Sequence, residues 1–370
     1  MKHLYVHVPF CARRCTYCDF AIAVRREVPV EEYIDAVARE LAMRCPDGSR
    51  WEVDTLYLGG GTPSMLGGAG VARLLQRVRE RVSVAPGAEV TLEANPENVA
   101  VDAVREWRAA GINRLSLGAQ SFDDRVLRWM HRTHDSAMIG RAVDAARAGG
   151  IDELSLDLIF ALPDVLERDW MGDVRRVAAL EPAHVSLYGL TVEPDTPLGR
   201  WRDRGSLLEA GEDRYEADFL RAHELLDAAG YEHYEVSNYA RPGRRARHNS
   251  SYWRHVPYMG LGPGAHSFDG EARRWNVGAY AAWARELRSG RDPIAGREVL
   301  TDESLACERI YLGLRTVDGL RVDDALARRV LPWVEAGWAL LDHGRVRLTP
   351  TGWLRLDALA SALTVAGSRY

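Results

Sequence analysis

Residues 4–20 read Leu-Tyr-Val-His-Val-Pro-Phe-Cys-Ala-Arg-Arg-Cys-Thr-Tyr-Cys-Asp-Phe. Leu4 to Phe10 form an apolar run of strand type, and Cys11, Cys15 and Cys18 follow at once with C-x-x-x-C-x-x-C spacing. Three closely spaced thiols are more than a fold needs. They are one short of the four that a closed zinc site or an ordinary iron–sulfur site uses. An incomplete ligand set on one tight loop suggests a cluster with one iron left open to an outside ligand. Three packing cysteines, or a zinc knuckle, are the plainer readings of the same residues. The spacing and the motifs downstream weigh against them.

The strand-then-signal unit recurs along the first half of the chain. Short β-rich runs at residues 4–8, 55–58, 90–93, 114–117, 154–159 and 184–187 alternate with helical patterns at 30–44, 71–82, 101–110, 136–148 and 168–180. Val30, Ile34, Val37 and Leu41 make an apolar stripe at helical spacing. Gly111 and Gly149-Gly150 stand where helices stop. Alternating strands and helices predict a parallel sheet with right-handed crossovers, hence an α/β fold. Six strands are too few for a full (β/α)8 barrel and fit a partial (β/α)6 barrel.

In such folds chemistry sits beyond the carboxyl ends of the strands. The cysteine loop follows the first strand, and Gly59-Gly60-Gly61-Thr62-Pro63 follows the second. The third ends in Glu93-Ala94-Asn95-Pro96, and the fourth runs into Gly118-Ala119-Gln120-Ser121. The fifth carries Asp157, and the sixth ends in Tyr188-Gly189-Leu190 before Glu193-Pro194. Glycines let a ligand approach the backbone. Glu93, Gln120 and Asp157 are hydrogen-bonding groups at strand ends, and Arg132 is a partner for a carboxylate. Six signals at the same end of six strands point to one shared site.

Composition adds bounds. The chain has 370 residues, 46% apolar and 27% charged, with a net charge of −5, which is no footprint for nucleic acid. Lys2 is the only lysine, so nearly all positive charge is arginine. Of five cysteines, Cys45 and Cys307 stand apart from the cluster, which is no secreted disulfide framework. No signal peptide opens the chain, and no stretch approaches the ~20 apolar residues of a membrane span. A reducing, cytoplasmic location is expected.

The cysteine spacing, with Tyr5 and Tyr17, resembles the cluster loop of the radical S-adenosylmethionine (SAM) enzymes. In that family three cysteines hold a 4Fe-4S cluster, and SAM chelates the fourth iron through its amino and carboxylate groups. The order Tyr5, Cys11, Cys15, Tyr17, Cys18, Gly60-Gly61-Thr62, Glu93, Gln120, Arg132, Asp157 is similar to one branch of it. That branch contains the anaerobic coproporphyrinogen III dehydrogenase and a group of heme chaperones. The likeness is close from residue 1 to about 270 and looser beyond. It implies that Cys11, Cys15 and Cys18 bind the cluster. It also implies that Tyr5, Tyr17, Gly60, Gly61, Thr62, Glu93, Gln120, Arg132 and Asp157 bind SAM. Phe20 stands where the dehydrogenase has a further cysteine, and the long N-terminal extension of that enzyme is missing. His248-Asn249-Ser250-Ser251-Tyr252-Trp253 matches a His-Asn-x-x-Tyr-Trp motif of the chaperones.

On its residues alone that motif is open. His248 is a candidate iron ligand with Tyr252 and Trp253 as a stacking pair, and it is equally a core histidine among core aromatics. The resemblance favours a porphyrin-facing role, with Met259 and His266 as alternative ligands. Arg241, Arg244, Arg245 and Arg247 are candidates for heme propionates, or simply a solvated loop. Beyond residue 278 the pattern changes to helices at 280–287, 302–315 and 325–336, a hairpin at 338–348 and a last helix at 351–363. This predicts a partial-barrel domain over 1–278, carrying the motif, and a mainly helical, winged-helix-like domain over 279–370. The latter has no obvious basic recognition helix, so it reads as a lid or docking module.

The reading as a whole is a cytoplasmic protein that binds a 4Fe-4S cluster and SAM and carries heme to acceptor proteins. Docking to a membrane-bound acceptor stays open. The alternatives are an enzyme that cleaves SAM to a 5′-deoxyadenosyl radical in porphyrin biosynthesis, and a zinc-binding DNA module.

Overall fold

The computed structural model describes residues 1–46 and 50–364. Its first half contains β1 (His3–Val8), α1 (Val30–Arg44), β2 (Trp51–Gly60), α2 (Gly67–Arg79), β3 (Val82–Ala94), α3 (Val101–Ala109), β4 (Arg114–Gln120), α4 (Asp124–Trp129), α5 (Ser136–Ala148), β5 (Leu154–Phe160), α6 (Trp170–Ala179) and β6 (His184–Gly189). The six strands pair in parallel and in chain order. Each strand-to-strand crossover therefore carries helix outside the sheet. All six expected strands are present, and α1 and α5 have the expected ends.

Parallel strands covered on both faces usually read as continuous apolar runs. These alternate instead. Leu4, Val6, Leu56, Leu58, Leu92, Leu115, Leu156 and Val185 are all fully buried under the helices. The opposite face carries Tyr5, Tyr57, Glu93, Ser116, Asp157 and Ser186, joined across strands by Tyr57 to Glu93 and Ser116 to Asp157 contacts. The period of two in the sequence is thus the signature of a polar lumen inside an apolar shell.

After β6 come α7 (Pro197–Asp203), α8 (Glu212–Ala228), β7 (Glu232–Glu235), β8 (Asn238–Ala240), α9 (Arg247–Trp253) and β9 (Met259–Leu261). They extend the sheet beyond the expected six strands to nine, in the order β9-β1-β2-β3-β4-β5-β6-β8-β7. β9 adds in parallel to β1, while β8 runs antiparallel to both β6 and β7. These strands have three or four residues, too short for periodicity to betray them.

A second sheet joins β10 (His266–Phe268), β11 (Ala272–Asn276) and, after α10 (Tyr280–Arg288), β12 (Ile294–Val299). Pairing of β11 with β12 crosses the boundary expected at 278. α10 also packs on α1: Tyr280 Oη donates to Glu32 at 2.9 Å and Trp283 Nε1 to Glu40 at 3.0 Å. We propose that the division falls after Val299 instead. The tail unit then holds α11 (Asp302–Leu314), β13 (Leu320–Arg321), α12 (Asp324–Glu335), β14 (Ala339–Asp342), β15 (Arg345–Leu348), α13 (Pro350–Trp353) and α14 (Leu356–Thr364). Its three strands pair antiparallel, as a winged-helix-like unit requires. The expected last helix is two helices, and residues 365–370 of the expected domain lie outside the described residues. Among the described residues no helix is long and apolar enough to cross a membrane.

Candidate functional site

The carboxyl ends of the strands open into one cavity of about 440 Å³. Its wall contains Cys11, Cys15, Tyr17, Cys18, Gly60, Gly61, Thr62, Glu93, Gln120, Arg132 and Asp157. Eleven of the residues expected to serve the cluster and SAM therefore meet in one place. Tyr5 does not: it lies below, with its hydroxyl 3.1 Å from His7 Nδ1 and its ring stacked on Tyr57 at 6.0 Å.

The cysteine loop is held by its backbone. Ala23 N donates to Pro9 O at 2.7 Å and Arg25 N to Cys11 O at 3.0 Å, pairing residues 10–11 with 23–24 across the base of the loop. Thr16 N donates to Met130 O at 3.2 Å, and Thr16 O accepts from Leu198 N at 3.0 Å. Gly61 has to be glycine, because a Cβ there would stand 2.8 Å from the backbone of Pro9 and Phe10. The glycine loop and the cysteine loop are thus pressed together.

Two donors face the sulfurs. Thr62 Oγ1 lies 3.6 Å from Cys11 Sγ, and Arg132 Nη1 3.5 Å from Cys15 Sγ. Burial pushes the Cys11 thiol up and the Cys18 thiol to about 11. Metal binding must therefore displace protons from both. Among the described residues no three His, Cys, Asp or Glu side chains close around a single point suited to one metal ion. All three thiols line the one cavity, and three thiolates on one loop are the donor set of a cluster with one iron left open.

Arg132 is fixed by Asn95 Oδ1 at 2.6 Å and Gly118 O at 2.9 Å, yet its buried Nε has no partner. Glu93 accepts from Tyr57 Oη at 2.8 Å and Gly60 N at 3.0 Å. Burial raises its carboxyl to about 7, with Asp157 adding and these two donors opposing. Burial also raises Asp157, against hydroxyls that include Ser116 at 3.0 Å and Ser155 at 3.3 Å. Gln120 reaches the cavity through a register slip between β4 and β5 and a left-handed backbone, φ +64°. Glycine backbone, an orphaned arginine donor and two carboxylates make a wall that fits a charged, hydroxylated ligand beside a cluster.

The motif at 248–253 has a different setting from the porphyrin face expected of it. His248 is 1% exposed, at the opposite, amino-terminal end of the strands. Nδ1 lies 2.7 Å from Thr55 Oγ1 and Nε2 2.9 Å from Tyr252 Oη, so both ring nitrogens are occupied. The ring stacks on Tyr57 at 5.1 Å. Glu89 accepts the backbone N–H groups of Arg247 and His248, capping α9. Trp253 lies under the Arg315 guanidinium at 4.1 Å. None of His248, Tyr252 or Trp253 lines the cysteine cavity. The segment is a plug for the polar lumen and a pin for the tail, because a polar lumen needs polar partners at its floor. Among the loop arginines, Arg245 pairs with Glu232 and Arg244 with Glu153. Sequence reading passed over Ser116, Ser155 and Ser186, which the strand alternation would have revealed as lumen residues.

A partial parallel barrel with three thiols and a glycine loop at its carboxyl end is the architecture of a radical SAM protein. The radical SAM superfamily model matches residues 5–177. Heme chaperone HemW of Synechocystis is 39% identical over 326 residues, covering 85% of this chain and 78% of that one. Heme chaperone HemW of Escherichia coli is 35% identical over 364 residues, covering 93% and 95%. The solved coproporphyrinogen III oxidase (HemN) of E. coli, a radical SAM enzyme, superposes with a TM-score of 0.83 at 23% identity, over 98% of this chain and 90% of that one. That likeness shows the fold. The chain belongs to the radical SAM superfamily and, within it, to the HemW family. Membership implies a 4Fe-4S cluster and SAM.

Proposed function

We propose that this chain is a heme chaperone that works in the cytoplasm. It holds a 4Fe-4S cluster through Cys11, Cys15 and Cys18, and SAM through Tyr17, Gly60, Gly61, Thr62, Glu93, Gln120, Arg132 and Asp157. It passes heme to acceptor proteins. The observation that carries the chaperone reading is likeness over nearly the whole chain, tail included, to proteins named heme chaperones. Phe20, in place of the dehydrogenase cysteine, agrees with it.

When bound, the cluster supplies one-electron chemistry next to SAM. The residues of the chain prepare its place. Thr62 and Arg132 aim donors at the Cys11 and Cys15 sulfurs, and the Thr62 hydroxyl opposes the upward push of burial on the Cys11 thiol. Arg132 brings a buried positive charge and a spare Nε–H to the cavity for a carboxylate. Glu93 and Asp157 offer acceptors to hydroxyl or amino groups. Gly60, with φ +112° and the His7 ring where a Cβ would be, has no room for a side chain and gives its N–H to Glu93.

The test is one anaerobic experiment. Reconstituted protein receives heme, or coproporphyrinogen III with SAM and reductant. Bound heme, heme passed to a heme-free acceptor, and product porphyrinogen are read together. The expected result is a Soret band that moves to the acceptor, with no porphyrinogen converted. Steady conversion without heme binding would overturn the chaperone reading in favour of the enzyme.

A further inference from the structure

Both ring nitrogens of His248 are engaged, by Thr55 and Tyr252, so a histidine already free to meet iron is one of the others. Of the eleven histidines, nine have a ring nitrogen in a hydrogen bond or ion pair. Among the described residues His131 and His266 are the two that do not. His266 lies flat on Trp275, 5.7 Å away, and is not part of the cysteine cavity. His131 lines that cavity, its ring and that of Trp201 roughly perpendicular with centroids 6.2 Å apart.

The backbone of His131 is the second observation. α4 ends in a Schellman turn: His131 N donates to Arg128 O at 3.1 Å and Arg132 N to Leu127 O at 2.9 Å. His131 occupies the left-handed position of that turn, φ +59°, where glycine is favoured. Stability alone does not choose histidine here. The same turn sends Arg132 toward Cys15 and presents the His131 imidazole to the cavity.

Two neighbours complete a pattern. Phe20 lines the same cavity and is 58% exposed, an apolar ring left at the mouth. Arg13 lines it too, exposed and with no ion pair or hydrogen bond among the described residues. A free imidazole, a bare phenyl ring and an uncommitted guanidinium match the three chemistries of heme: iron, a flat apolar macrocycle and propionates. Asp19 and Glu193 on the same wall would repel propionates and so turn them toward Arg13. We infer that heme docks at the mouth of the cysteine cavity, with His131 as its axial ligand, Phe20 against the macrocycle and Arg13 toward a propionate. This rests on the heme-chaperone reading and gives it a location.

His131→Gly tests it without endangering the fold, because glycine suits the left-handed turn. Reconstituted His131→Gly, Phe20→Ser and wild-type protein are titrated with heme anaerobically. Cluster absorbance and SAM affinity are measured alongside. Wild-type protein should show the spectrum of imidazole-ligated heme. His131→Gly should keep its cluster, bind heme about tenfold or more weakly with a shifted Soret band, and recover the wild-type spectrum on adding free imidazole. Phe20→Ser should weaken binding and leave the band position unchanged. A wild-type spectrum and affinity in His131→Gly would overturn the location, as would transfer of the loss to His266→Ala. In either case heme binding by the wild type would leave the chaperone reading standing. No heme binding by the wild type would sink both.

Discussion

His248→Gln separates a floor histidine from a heme ligand in protein that carries no heme. Burial holds this imidazole neutral, its pKa lowered from 6.5 to about 3. At neutral pH glutamine can satisfy at most one of the two partners that His248 serves at 2.7 and 2.9 Å. Thr55 keeps a second partner, His3 Nδ1 at 2.9 Å, so the orphaned group is Tyr252 Oη. One unsatisfied buried hydroxyl costs about 1–3 kcal/mol and the lost stack on Tyr57 about 0.5–1.5, giving a loss of roughly 2–4 kcal/mol near pH 7.5. That is a large share of a typical stability of about 5–15 kcal/mol.

The pH dependence then has a defined sign. A group that is neutral when folded and protonated when unfolded stabilises fully above its unfolded pKa. That stability is lost as pH falls from 6.5 toward 3. At about pH 5 the unfolded imidazole has gained roughly 1.5 pH units of proton affinity, about 2 kcal/mol at 1.36 kcal/mol per unit. Glutamine cannot titrate, so the wild-type advantage should shrink by about 2 kcal/mol between pH 7.5 and 5. His184 and His233 are depressed by burial in the same way in both proteins and cancel in the difference. Urea unfolding of the heme-free proteins at the two pH values, followed by circular dichroism, gives the numbers. Equal stability at pH 7.5, or parallel stability–pH curves, would refute the buried, neutral, doubly bonded histidine.

Replacing Cys11, Cys15 or Cys18 by Ala should abolish the cluster absorbance on reconstitution, while Cys45→Ala and Cys307→Ala should retain it; iron and sulfide analysis decides. Glu93→Gln should weaken SAM by about 1–3 kcal/mol, up to a hundredfold, since an amide accepts on one oxygen where the carboxylate accepts on two. Because the Glu93 carboxyl sits at about 7, wild-type SAM affinity should climb as pH rises through that value and stay flat in the variant, by calorimetry. Arg315→Ala should strip a cation from Trp253 and leave Glu235, fully buried 3.0 Å away, without its counter-ion, at about 3–5 kcal/mol. Limited proteolysis should then release the tail unit earlier than in wild type, and an unchanged digestion pattern would remove this contact as the pin.

Residues close in sequence carried most of what could be read without coordinates. The six strands were legible as short β-rich runs between helical patterns, the first of which carries the Val30, Ile34, Val37, Leu41 stripe; their period of two was the part passed over. The site was legible because a parallel sheet puts all its carboxyl ends on one side, so signals dispersed from Cys11 to Asp157 must meet. What stayed hidden was set by partners far along the chain. β9 exists because β1 has a free edge 255 residues earlier, where Leu4 pairs with Met259, Tyr5 with Gly260 and Val6 with Leu261. The fate of His248 turned on Thr55, Tyr57 and Glu89, none of which its own neighbourhood announces. Sequence names the groups a side chain offers. Only tertiary structure decides which of them are already taken, because occupation of a nitrogen lone pair or an N–H depends on distance and direction, and folding alone sets those.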